Sequence, residues 1–183
     1  DGRYSYIGGL AALNEGAVSH GAFNGSVSST GKGSYTAGLV GWSTGTVSDS
    51  NTSGSITSVS AHGRNTAGLV GRNEGTVTRS SSNATVKDRF GACGLVGDNY
   101  GTVRFSSATG PASISDQLKG ENPYGAGLVC GNFGTINQSF ATGAVQGGFG
   151  REGETHTFYA TTGGLVSYNQ GGLIEDSYAF GAV

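Results

Sequence analysis

The side chains able to do chemistry are few and widely spaced. Histidines stand at His20, His62 and His156, cysteines at Cys93 and Cys130, and the aspartates beyond residue 1 at Asp49, Asp88, Asp98, Asp116 and Asp176. A zinc peptidase needs His-Glu-x-x-His on one helix face, so that two imidazoles hold the metal beside a glutamate base. No such string occurs. Cleavage of polysaccharide needs two or three carboxylates converging on one groove, yet these aspartates fall at different places of the repeat described below. The Gly-Gly-x-Gly-x-Asp frame of calcium solenoids is missing as well. The sequence therefore predicts a non-enzyme with no catalytic residue, cofactor or metal.

Chemistry of recognition is the better prospect, and it depends on a repeat. A Gly-Leu pair returns with its leucine at Leu10, Leu39, Leu69, Leu95, Leu128 and Leu165, a spacing of 26–37 residues. Val18, Val47, Val77, Val103 and Ile136 follow eight residues later, and Ile174 nine later, as if one glycine were inserted. A third aliphatic lies seventeen residues after four leucines, at Val27, Ile56, Val86 and Val145, with Ile114 two places late behind Gly110-Pro111. Helical repeats would need apolar residues at i, i+3, i+4 and i+7 over ten or more positions. Short β-branched segments separated by Asn-x-Gly and Ser/Thr-Gly turns read instead as three short strands per unit, with glycine serving turns that need positive φ. One such coil cannot bury its inward face, so coils must stack. The prediction is an all-β parallel β-solenoid, one domain over 1–183, with about six coils (6–35, 36–65, 66–90, 91–124, 125–160, 161–183). The usual hand of crossover connections makes it right-handed.

Stacking turns equal positions into columns. Asn14, Ser43, Asn73, Asn99, Asn132 and Asn169 form a predicted amide ladder, and Ser50, Ser80, Ser106, Ser139 and Ser177 a hydroxyl ladder. His20, Asp49 and Arg79 share a column and read as a charge ladder. Tyr100 and Phe133 should stack, and Trp42 and Arg72 could form a cation–π step with Asp98 next in line. Cys93 and Cys130 sit two residues before one leucine and two after the next. That offset is roughly 13 Å along a strand, against the roughly 4.4–6.8 Å a disulfide allows between Cα atoms, so no bridge is predicted.

Thr46, Thr76, Thr102 and Thr135 each precede an inward aliphatic and so face outward, with Ser48 and Thr78 two residues further on the same face. A flat array of hydroxyls and methyls suits an ice surface, although threonine also simply favours strands. Arg104 and Asn137 interrupt the array. Aromatics gather in the C-terminal half, where exposed rings could also grip sugars. Variable connections near 115–124 and 146–163, the latter with Arg151, Glu152, Glu154 and His156, are the other places to look for a ligand.

Composition narrows the classes. Glycine takes 36 positions and charged residues only 12%, where globular chains average about 7% glycine and about 25% charge. A net charge of −2 with scattered cations argues against nucleic acid as a partner. No apolar run reaches the roughly 20 residues that span a bilayer as a helix. With no methionine and no leader pattern, the chain reads as a piece processed or excised from a longer precursor.

The strings GLVGRNEGTV (68–77), GLVGDNYGTV (94–103) and GNFGTINQSFATGAV (131–145) resemble the GLUG-motif repeats of bacterial surface and secreted proteins, which accompany adhesins and the non-catalytic regions of immunoglobulin A peptidases. The likeness covers all six units, with local departures at Ala11-Ala12, Ser43, Cys130 and Ser167. It implies a secreted or cell-surface, adhesive or spacer module whose partner is a surface protein or glycan of a host or neighbouring cell. Ice binding is the alternative and glycan binding a weaker one. Uncapped terminal coils add end-to-end self-association to the expected partners.

Overall fold

The computed structural model describes residues 4–31, 33–59, 64–115, 123–147 and 160–183. The second coil shows the plan, with strands Ser34–Ala37, Val40–Ser43, Thr46–Ser48 and Asn51–Ser58. Each pairs in parallel with its equivalents in the coils before and after. The result is a parallel β-solenoid with four sheets, here A to D in that order along each coil. Among the described residues, sheets A, B and C hold six strands each, one per repeat. Sheet D holds nine, because the long strands Ala22–Ser29 and Asn51–Ser58 are broken in later coils into pairs such as Ser81–Ser82 and Thr85–Asp88.

Apolar columns fill the space that sheets B, C and D enclose. Leu39, Leu69, Leu95 and Leu128 are fully buried, as are Val47, Val77, Val103 and Ile136 beside them. Each leucine is worth about 1.5–3 kcal/mol of burial. Their amides run the same axis: Leu39 N–H donates to the Leu69 carbonyl at 3.0 Å and Leu69 N–H to the Leu95 carbonyl at 2.9 Å. The third inward column needs one correction. Val86 pairs with Ala112 and Ala112 with Val145, while Ile114 pairs with Asp88. Alanine therefore holds the place that Ile114 was expected to take two residues late. The late Ile174 does align with Ile136, and its extra residue is absorbed by Gly171 at φ 70°.

Each coil has four sides rather than three because the chain doubles back at Gly-Leu. Ser167 Oγ donates to the Thr161 carbonyl, six residues earlier, at 2.8 Å. Six extended residues would separate those groups by roughly 20 Å. Sheet A is thereby folded between B and D. Its face toward D carries Ala92 against Val86 and Ala112, and polar pairs such as Ser29–Ser34 at 2.8 Å. Its face toward B carries Ala67, Cys93 and Ala126, packed with Cys130.

That reversal overturns the expectation for the cysteines. Cys93 and Cys130 form a disulfide with Cα atoms 5.4 Å apart. The four-residue offset turns a corner instead of running along a strand, so the two columns face each other across the A–B cleft. Both residues are buried.

Glycine at the corners answers to space, not to φ. A Cβ on Gly94 would lie 1.9 Å from the Gly127 carbonyl oxygen, and one on Gly75 the same distance from that of Gly45. Neither glycine has a left-handed backbone. Among the described residues, the non-glycine left-handed positions are His20, Asp49, Arg79, Phe105, Gln138 and Asp176, with φ of 45–55°, one per coil in a single column. Such a conformation costs a non-glycine residue about 1–2 kcal/mol. Ladder bonds offset it: Asp49 N–H donates to the Thr78 carbonyl at 3.1 Å, and the next amide, on Ser50, to Ser80 Oγ at 3.1 Å.

The serine ladder runs on through Ser106, Ser139 and Ser177. In the asparagine ladder, Asn73, Asn99 and Asn132 each donate through Nδ2 to the next Oδ1 at 2.8 Å. Ser43 is the one break. Asn14 reaches Ser43 Oγ at 3.0 Å, but the buried Asn73 Oδ1 has no partner.

Two stability predictions follow from these columns. Gly94→Ala should lower stability by at least about 3 kcal/mol, because backbone must move. Gly16→Ala, with nothing within 4 Å, should change it by less than about 0.5 kcal/mol; equal melting shifts for the two would contradict the spacing argument. Ser43→Asn should supply the missing partner, adding about 1 kcal/mol and raising Tm by about 2–4 °C. A lowered Tm in calorimetry would show that the ladder gains nothing from continuity.

Candidate binding surfaces

Three outward faces emerge from this scaffold. On sheet C, Thr46, Thr76, Thr102 and Thr135 stand in register in consecutive coils, with Thr46 exposed and the other three half-buried. Ala17 begins this row and Leu173 ends it. Ser48 and Thr78 are also in register, and Arg104, Asn137 and Glu175 continue their row. Thr78 does not present its hydroxyl, since only 4% of it is exposed and its Oγ1 is buried without a partner. The threonine array is thus one column wide.

Sheet D carries a broader hydroxyl field that the sequence reading missed. Asn51, Ser81 and Ser107 form one outward row, and Ser26, Ser55 and Thr85 another. Lys87 pairs with Thr57 and Ser113 and brings the charge on this face. Alternation of small inward residues with serines would have exposed the rows, had the strand been followed past its single aliphatic.

The mouth of the A–B cleft is the third face, and it is aromatic. Tyr6 stacks on Tyr35 at 5.7 Å and on Trp42 at 5.0 Å, and Tyr100 stacks on Phe133 at 4.6 Å and 7°. Arg72 shares a row with Trp42 and Asp98, but its guanidinium does not sit on Trp42. It lies over Tyr100 at 4.6 Å and pairs with Glu74 at 2.6 Å. Asp98 accepts from Tyr35 Oη at 2.7 Å and Asn65 Nδ2 at 2.6 Å. Burial pushes its carboxyl above the usual aspartate range, and the Arg64 and Arg72 charges pull it back only in part. Burial and the adjacent Asp98 hold the Tyr35 phenol protonated.

The other charged positions act within the framework. Arg79 Nε and Nη2 grip the two Asp49 oxygens at 2.7 and 2.8 Å, the Asp–Arg step of the expected ladder. Asp88 is buried between sheets A and D, accepting from Thr66 Oγ1 and, at 2.8 Å, from Phe90 N–H. Desolvation raises its pKa to about 7. Among the described residues no three His, Cys, Asp or Glu side chains converge to hold a metal, and no helix is long and apolar enough to cross a membrane. His62, Asp116 and His156, with Arg151, Glu152 and Glu154, lie outside the described residues.

The Cys93–Cys130 disulfide is compatible with an oxidising, extracellular setting. No family model, curated protein or solved structure matches the chain.

Asp88 makes stability depend on pH in an unusual direction. Its folded-state pKa lies above the unfolded value, so the folded chain holds a proton that the unfolded chain releases. Stability from this group is complete below the ordinary aspartate pKa and is lost as pH rises through about 7. Tm should be higher near about pH 5 than near about pH 8, and Asp88→Asn should flatten that slope. A slope unchanged in the variant would remove Asp88 as its source.

Proposed function

We infer that the chain is a non-catalytic module of a secreted or cell-surface protein, an adhesin-type scaffold that displays its lateral faces to a partner. One observation carries this reading: the inward columns are consumed by packing and by side-chain ladders, while large aromatics are left at the surface of the solenoid. Tyr100 and Tyr168 are each 44% exposed. Rigid aromatics give contact area at low entropic cost, which is why they dominate recognition surfaces. The Gly-Leu-Val-Gly-x-Asn-x-Gly core adds support, since it resembles repeats that accompany adhesins. The disulfide favours the same setting. Partners of this module are surface proteins or glycans of other cells.

Beads carrying the purified chain should be retained on bacterial or epithelial cell layers several-fold above beads carrying serum albumin. Equal retention on every layer tried rejects the scaffold reading.

Ice binding is the second reading, favoured by the four threonines in consecutive register. A parallel ladder spaces them by about 4.8 Å, and sheet D adds a second hydroxyl face. Thermal hysteresis decides it. A gap abolished by Thr76→Tyr and kept by Ser55→Tyr places the site on sheet C, and the reverse places it on sheet D. No hysteresis in the parent chain ends this reading.

A further inference from the structure

The outward row of sheet B reads Leu13, Trp42, Arg72, Asp98, Gly131, Tyr168 from the first coil to the last. Five positions carry large or charged side chains and the fifth coil carries none. The omission leaves a slot between Asp98 and Tyr168, floored by Gly131. Phe133 stands beside it and Tyr124 forms the opposite lip of the A–B cleft. The slot measures about 190 Å³, the scale of one sugar ring.

Its chemistry is divided as a pyranose is. Apolar C–H faces suit the rings of Phe133, Tyr124 and Tyr168, and hydroxyl edges suit the polar end. There, each Asp98 oxygen accepts one hydrogen bond, from Tyr35 or Asn65, and keeps a lone pair free. Asn65 also lines the slot, is only 6% exposed, and its Oδ1 is a buried acceptor without a partner. An orphaned acceptor of that kind costs about 1–3 kcal/mol, and it lies closed off against Gly91, which leaves Asp98 as the acceptor that faces the slot. Charge argues against an ionic ligand. Arg64 and Arg72 act on Asp98, and Arg72 is itself paired with Glu74, so two cations face two carboxylates.

We propose that the Gly131 slot is a binding subsite for one pyranose residue of a neutral glycan. It rests on the scaffold reading above and names the class of partner. Phe133 and Tyr168 are the stacking platform, and Asp98, held by Asn65, accepts from the sugar hydroxyls.

Methyl glycosides of glucose, galactose, mannose and N-acetylglucosamine, followed by a neutral-glycan array, are the probes. At least one should bind by titration calorimetry and ligand-observed NMR. Gly131→Leu should abolish binding by filling the slot; its Cβ meets only the ends of Asp98 and Phe133, at 2.8 and 3.1 Å, so the coil can still form. Tyr168→Ala, at an exposed position, should weaken binding about tenfold. Asp98→Asn tests the acceptor, with the melting curve showing whether the Tyr35 and Asn65 contacts survive. Absence of any neutral binder overturns the proposal, as does binding indifferent to Gly131→Leu and Tyr168→Ala. Binding of tetramethylammonium instead of sugars would overturn it too, making the rings a cation cage. Cell-bead retention that persists in Gly131→Leu without sugar binding removes the subsite and leaves the scaffold standing.

Discussion

Neighbouring coils meet at their corners with a backbone carbonyl where the next side chain would begin. Parallel strands stack at about 4.8 Å, and at that separation the corners admit hydrogen but no carbon. The Gly-Leu and Asn-x-Gly corners obey this in coil after coil: Gly38, Gly68, Gly94 and Gly127 each face the carbonyl of the following corner glycine at 1.9–2.3 Å from a notional Cβ. The high glycine content is therefore a condition of close stacking. Chain flexibility is a poor description of it, since these corners are among the most constrained positions of the rod.

Tight corners also let the chain reverse at Gly-Leu and lay sheet A between B and D. This three-layer end explains features foreign to a simple three-sided coil. The cleft facing B is narrow, so it takes Gly, Ala, Ser and Cys, and two cysteines one coil apart are brought within bonding distance. The side facing D buries polar groups, and most pair with one another, as Ser29 does with Ser34 and Thr66 with Asp88, while the Thr36 hydroxyl is buried there without a partner. A carboxyl without a cation is tolerated there because it can stay protonated.

The parts legible in the sequence were those written as one residue type at one spacing. Leucine, valine, asparagine and serine columns, and the Tyr100–Phe133 stack, needed only alignment. What escaped was set by direction instead of spacing. Nothing in the residues before Gly-Leu says that the chain turns back, so a fourth side and the Cys93–Cys130 bond stayed hidden. The inward place expected for Ile114 belongs to Ala112, which a search for aliphatic spacing does not single out. Arg72 was assigned to Trp42 by register, but a long side chain reaches diagonally, and Tyr100 with Glu74 offered both a π face and a carboxylate. The Gly131 slot is a missing side chain in its row, and an omission within a column is visible only once its neighbours are fixed in space.

The amide ladder has a sense as well as a position. From Asn73 to Asn99 to Asn132 to Asn169, nitrogen always leads toward the C-terminal coil and oxygen trails behind. Side-chain dipoles so aligned add head to tail, as peptide dipoles do in a helix, and give the rod an electrical polarity independent of its ionised groups. A coil could be duplicated or lost without disturbing that vector. One inserted upside down would meet donor with donor, so growth of such a rod is restricted to a single orientation.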